Sequence, residues 1–178
     1  MIGVLVSGNG SNLQALLDAG LPVAAVASNR RDAPALARAT GLATASFELD
    51  DYADRAERDT AMAGWLERRG VRIVVLAGYM HLLTSAFLDR FPDAVVNVHP
   101  SLLPEFPGAH AVEDQLAAGV AEAGATVHLV DEGVDSGPIL AQERVAVLDG
   151  DTPETLHARI KEIEHRLLPR VVGELCGR

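Results

Sequence analysis

The run Ala94-Val95-Val96-Asn97-Val98-His99-Pro100 sets two polar side chains at spacing two inside an apolar, β-branched segment. That composition predicts a buried strand. Alternate residues of a strand share one face, so Asn97 and His99 project side by side. Pro100 keeps His99 extended. An amide that can donate and an imidazole that can hold a proton are thus presented at a strand end, where open α/β sheets place their ligands. Asp135, in the acidic loop Asp131-Glu132-Gly133-Val134-Asp135-Ser136-Gly137, is the third residue placed with them. A carboxylate beside an imidazole stabilises the imidazolium, and a neighbouring amide can donate to a developing oxyanion. No G-x-S-x-G elbow occurs and the single cysteine, Cys176, is remote. The chemistry indicated is proton transfer without a covalent intermediate. For Asn97 and His99 alone, a buried pair satisfied by backbone groups is the alternative.

A second constellation lies at the start of the chain. Ile2-Gly3-Val4-Leu5-Val6 reads as a buried strand, Ser7-Gly8-Asn9-Gly10-Ser11-Asn12 as a turn, and Leu13, Leu16 and Leu17 as a helical stripe. Strand, glycine-rich turn and helix together aim free backbone N–H groups and a helix dipole at an anion. Ser11 or Asn12 is expected to cap the helix and to bond a phosphate oxygen. An ordinary capped turn is the alternative. Leu13 stands where a dinucleotide fingerprint needs glycine, and no G-K-[ST] follows, so a monophosphate suits this turn better than a nucleotide.

These sites need a scaffold. Strands are expected at Pro22 to Ala27, Ala43 to Phe47, Val71 to Ala77, from Ala94 through the Asn97 and His99 pair, Ala125 to Val130 and Pro138 to Val147. Helices are expected at Ala33 to Thr40, Asp51 to Arg69, Thr84 to Arg90, before Gly119, and from Asp151-Thr152-Pro153-Glu154 onward. Pro169 should kink or break the last helix, and the charges of the Asp51 to Arg69 helix should be a solvated face. Alternating strands and helices predict an α/β fold with a doubly wound, mostly parallel sheet, one domain over residues 1–178. The formal charge of −10 opposes a nucleic-acid backbone as main partner. The chain has no basic segment followed by a long apolar core and no apolar run that could span a bilayer, so no membrane partner is expected and a cytoplasmic location is. The spacings of His99, His110, His128 and Asp135 match no metal-ligand pattern, and no metal is expected.

Ser7-Gly8-Asn9-Gly10-Ser11-Asn12, Leu76-Ala77-Gly78-Tyr79-Met80, Asn97-Val98-His99-Pro100-Ser101-Leu102-Leu103-Pro104 and the segment from Asp131 to Pro138 resemble, in order and over nearly the whole chain, the phosphoribosylglycinamide formyltransferases. The resemblance implies a Rossmann-like formyltransferase fold. It implies transfer of a formyl group from the co-substrate 10-formyltetrahydrofolate to the amine of glycinamide ribonucleotide in purine biosynthesis. By position, Gly10, Ser11 and Asn12 would hold the substrate phosphate, and Asn97, His99 and Asp135 would be catalytic. Arg55, Met80, His81, Leu82, Leu83, Val130, Asp131 and Glu132, with Asn97 and Asp135, would line the folate site. Glu164 and Lys161, on one face of the last helix, would contact the glycinamide end; a surface ion pair is the alternative for those two.

His81 stands where such enzymes commonly carry arginine, and Val112 where a second histidine often follows His110. The chain also ends soon after the last helix, without an extension many of them have. Methionyl-tRNA formyltransferases and formyltetrahydrofolate hydrolases share a similar core, but the first usually has alanine at Pro100 and the second lack the Gly-Asn-Gly-Ser-Asn turn. A non-catalytic phosphosugar- or folate-binding module would have no need of the Asn97, His99 and Asp135 trio.

Overall fold

The computed structural model describes residues 1–177. Seven strands form one sheet in the order β3-β2-β1-β4-β5-β6-β7: β1 Ile2–Val6, β2 Val23–Ser28, β3 Ala43–Ser46, β4 Ile73–Leu76, β5 Val95–His99, β6 Glu122–Leu129 and β7 Ile139–Ala146. The first five are parallel, and β6 and β7 run antiparallel to their neighbours. The doubly wound, mostly parallel sheet is therefore present. Its winding reverses between β1 and β4, which opens a crevice at their C-terminal ends.

Helices cover both faces: α1 Ser11–Asp18, α2 Arg55–Glu67, α3 Ser85–Leu88, α4 Ala111–Ala117 and α5 Pro153–Cys176. Strand alternation divides the core cleanly. Val4, Val75, Val96 and Val98 pack with α1, α4 and α5. Leu5, Val74, Leu76 and Val95 pack with Met62 and Leu66 of α2 and Phe87 of α3. Asn97 and His99 continue the Val95 face beyond its apolar part.

Several local expectations are corrected. Residues Pro34–Arg38 form a 3₁₀ turn rather than an α-helix, in keeping with the proline at its first position and Gly41 soon after. A separate 3₁₀ turn, Leu49–Asp51, precedes α2, which starts at Arg55 because Asp54 caps it by accepting from the Glu57 N–H. α3 is shorter than expected and β6 starts earlier, at Glu122. Pro169 does not break α5, which runs through it with Pro169 buried; packing of Leu156, Ile160, Ile163, Leu167 and Val171 into the core outweighs the loss of one backbone bond. The charges of α2 are not all solvated either, since Arg58 and Asp59 are both 0 % exposed.

Candidate functional site

The extended conformation and pleat of β5 point Asn97 and His99 to one side, as their spacing requires. The loop after β6 brings Asp135 against them. His99 Nδ1 lies 3.3 Å from Asp135 Oδ2, and Asn97 Nδ2 donates to Asp135 Oδ1 at 3.4 Å. His99 Nε2 donates to the Phe106 carbonyl at 2.8 Å. With Nε2 committed to an acceptor, Nδ1 is the nitrogen at which a proton can be held or passed. The Gly108 N–H donates to Asp135 Oδ2 at 2.8 Å. Phe106 and Asp135 are both non-glycine residues with positive φ, 53° and 51°. Backbone held in that region costs roughly 1–3 kcal/mol and concentrates at functional sites. Here it aims one carbonyl and one carboxylate at the same imidazole.

A fourth member went unassigned in the sequence. Antiparallel pairing sets His128 of β6 opposite Asn97. Its Nδ1 donates to the Leu129 carbonyl at 2.8 Å, and its Nε2 lies 3.2 Å from Asn97 Nδ2 and 3.6 Å from Asp135 Oδ1. Asn97 Nδ2 thus stands between His128 Nε2 and Asp135 Oδ1. Burial alone would raise the Asp135 pKa, but the hydrogen bonds from His128 and the Gly108 N–H, with the charges of His99 and His128, outweigh it and bring the carboxyl from 3.8 to about 2. Asp135 is an anion throughout the neutral range. His110, weighed with these as a metal ligand, is exposed at the start of α4, and among the described residues no group of three or more metal-ligating side chains comes together.

Asn97, His128 and Asp135 open into a cleft of about 80 Å³ walled by Leu76, Tyr79, His81, Leu82, Leu83, Val130 and Asp131. Most of the expected folate-site residues are therefore gathered in one place. Met80 stands 68 % exposed at its rim, and its N–H donates to Ser7 Oγ at 2.9 Å. Glu132 is exposed on the adjoining loop and Arg55 is exposed at the start of α2, close enough to Tyr79 and His81 for its charge to be felt there. Burial pushes the Tyr79 hydroxyl up to about 12. Burial, reinforced by the Arg58 and Arg55 charges, lowers the His81 pKa.

The turn after β1 sits on the other side of the crevice, and Ser7 joins the two sides: its N–H donates to the Gly78 carbonyl at 3.1 Å. Neither Ser11 nor Asn12 caps α1. Gly10 is the N-cap, in the left-handed region at φ 73°, and no side chain bonds the first turn. The first amides of α1 therefore have no intrahelical partner, Gln14 N being bonded back to the Gly10 carbonyl. Gly10 is glycine for packing as well, because a Cβ there would lie 2.6 Å from Ala35 Cβ. A cation missed in the sequence stands beside the turn: Arg38 Nε donates to the Asn9 carbonyl at 2.6 Å.

The Asn12 side chain reaches α5, where its Nδ2 donates to Glu164 Oε2 at 2.8 Å. Glu164 is only 5 % exposed, so the surface ion pair with Lys161 is not what forms; Lys161 is exposed one turn earlier. Burial raises the Glu164 pKa against the opposing effects of Asn12 and Lys161. Asn12 Oδ1 is buried and has no partner. A wider hollow of about 580 Å³ runs along α1 and α5 past Ser11, Arg38 and His165. It is an open groove without the β5 and β6 groups, whereas Asn97, His128 and Asp135 open into the smaller cleft.

The formyl transferase family matches residues 1–172. The phosphoribosylglycinamide formyltransferase of Mycobacterium tuberculosis is 47 % identical over 97 % of this chain and 83 % of its own length. That of Bacillus subtilis is 38 % identical over 98 % of this chain and 93 % of its own. The crystal structure of the Streptococcus pneumoniae phosphoribosylglycinamide formyltransferase superposes with a TM-score of 0.94 at 44 % identity, covering 98 % of this chain and 97 % of that one. Motif, fold and these relatives agree: the chain belongs to the formyl transferase family, among the phosphoribosylglycinamide formyltransferases.

Proposed function

We propose that the site transfers a formyl group from 10-formyltetrahydrofolate to the amine of glycinamide ribonucleotide, with Asn97, His99 and Asp135 as the reacting unit. One observation carries the reading: Asn97 and Asp135 line the same cleft as Leu82, Leu83 and Val130, so acid–base groups open directly into the space a folate ring would occupy. About 80 Å³ is small for a whole ligand. The ring fills the cleft, and the rest of the donor lies across Met80, Leu82 and Val134, which are 68 %, 49 % and 51 % exposed.

The substrate phosphate sits on the amides of Gly10, Ser11 and Asn12, where the helix dipole and Arg38 favour an anion. Asn12 Oδ1, an unpartnered buried acceptor, takes a hydrogen from the substrate, as does Glu164 beside it. Lys161 lies at the edge of this end. The amine attacks the formyl carbon, forming a C–N bond and placing negative charge on the former formyl oxygen. Asn97 and the His99 Nδ1–H donate to that oxygen. The 3.4 Å contact from Asn97 to Asp135 is the longer of the amide's two, so that hydrogen is the one most easily redirected. Collapse of the intermediate breaks the bond from carbon to the folate nitrogen. The proton leaving the amine passes by way of His99 and Asp135 to that nitrogen, and atoms and charge balance without metal or redox cofactor.

Incubation with both compounds should give formylated ribonucleotide and tetrahydrofolate in equal amounts, and EDTA should not slow it. Deformylation of the donor at the same rate without the ribonucleotide would point instead to a hydrolase. Loss of activity in EDTA, restored by zinc, would contradict the mechanism.

A further inference from the structure

The wall of the cleft is held from behind by a buried ion pair. Arg58 and Asp59, consecutive on α2, are both fully buried. Arg58 Nε and Nη2 donate to the same Asp59 oxygen, Oδ1, at 2.9 Å and 2.6 Å. The other oxygen, Oδ2, accepts from the Thr84 N–H at 2.8 Å and from the Thr84 hydroxyl at 2.9 Å. The remaining Arg58 arm, Nη1, lies 2.6 Å from His81 Nδ1. A guanidinium can only donate, so Nδ1 accepts and His81 is held as the neutral ring with its hydrogen on Nε2. Asn29 stands on the other side, its amide 3.2 Å from Nε2; the Nε2–H needs an acceptor there, so the Asn29 carbonyl faces the ring and the Asn29 NH₂ faces Ser7 Oγ, 2.6 Å away.

The pair therefore grips the segment His81-Leu82-Leu83-Thr84 at both ends, while Leu82 and Leu83 between them face the cleft. Two charges buried for packing alone are expensive, and apolar residues of like size commonly serve as well or better. Their directed bonds serve position. We propose that Arg58 and Asp59 are positioning residues for the formyl donor, acting through His81 and Thr84 to fix the wall against which the folate ring packs. This rests on the cleft being the donor site. It also accounts for histidine at position 81: an arginine there would meet the Arg58 guanidinium head-on.

Three substitutions of the half-exposed His81 leave the buried pair in place and test the proposal. His81→Leu removes the acceptor for Arg58, His81→Gln can restore it through its side-chain carbonyl, and His81→Arg opposes Arg58 with a like charge. Donor KM and ribonucleotide KM are measured for each, with donor affinity measured separately by calorimetry using 10-formyltetrahydrofolate. His81→Leu should raise donor KM and Kd about tenfold and His81→Arg more, with ribonucleotide KM within twofold of native, and His81→Gln should recover most of the loss. In His81→Arg, a second change, Arg58→Met, should lower donor Kd again. Equal donor constants for the Leu and Gln variants, or parallel rises in both KM values, would overturn the proposal. Absence of turnover in the native chain with donor Kd responding as described would overturn the proposed reaction and leave the positioning role supported.

Discussion

At the end of β5 the polar side chains already have partners, whereas at the start of α1 the amides are uncapped and Asn12 Oδ1 is alone. The two carboxylates follow the same division. Asp135 is surrounded by donors and drawn down to about 2; Glu164 is buried with one donor and raised. A group that must move protons has to be oriented before substrate arrives, because preorganised dipoles need no rearrangement in the transition state. A group that receives a ligand does the opposite: it keeps hydrogen-bonding capacity that only the ligand fills, and the unmet cost is returned on binding. On the proposed reaction, the closed cluster is the reacting end and the open turn the receiving end.

That division is broken most severely at His99. His99→Ala should lower kcat on the order of 10²–10⁴-fold with modest change in either KM, read from steady-state rates with each substrate varied. The His99→Ala, Asp135→Asn double variant should be only slightly slower than the worse single one, because the two act as a unit. At the receiving end the pattern inverts. Asn12→Ala should raise ribonucleotide KM about tenfold, equivalent to ~1.4 kcal/mol, and leave donor KM and kcat nearly unchanged. Gly10→Val is a poorer probe, since it would also collide with Ala35.

The smallest effects are in stability, and they carry opposite signs. The Asp135 pKa is lower in the folded chain, so its contribution is present above 3.8 and is lost as pH falls toward about 2. Glu164 has a raised folded pKa, so its contribution is greatest below its unfolded pKa and is lost as pH rises through the folded value. Glu164→Gln can keep the bond from Asn12 and removes the buried charge. It should raise Tm at pH 7 relative to native, with the advantage shrinking as the buffer is acidified. An unchanged difference between pH 7 and pH 4 would mean that Glu164 is not held charged at neutral pH.

The sequence disclosed those parts of the molecule that follow from local periodicity. Asn97 and His99 share a face because a strand has period two, and β1, the turn and α1 follow from five apolar residues, two glycines and a leucine stripe. What depends on distant segments was not legible. His128 joins the site only through the antiparallel register of β6 on β5, which no local pattern near His128 specifies. Arg58 and Asp59 read as solvated charges of an amphipathic helix, and only the return of the chain at His81 and Thr84 shows why they are buried. Asn12 reads as a cap because asparagine caps helices; its amide is instead drawn to Glu164, more than a hundred residues away in sequence. Pro169 reads as a break because proline removes a backbone bond, whereas the packing of a long helix against the sheet tolerates it. The assignment of Asp135 to the trio was an inference of type, and its positive φ and its bond from Gly108 supply the reason it arrives there.

The claim on which the account turns is that Asp135 works as an anion paired with His99 Nδ1. The most direct measurement is kcat of Asp135→Asn against pH from 6 to 9 at saturating concentrations of both substrates, with folding checked by circular dichroism. Asp135→Asn should fold and bind both substrates while losing on the order of 10²-fold or more in kcat across that range. A folded Asp135→Asn chain with near-native kcat throughout would make the aspartate a structural residue and contradict the mechanism.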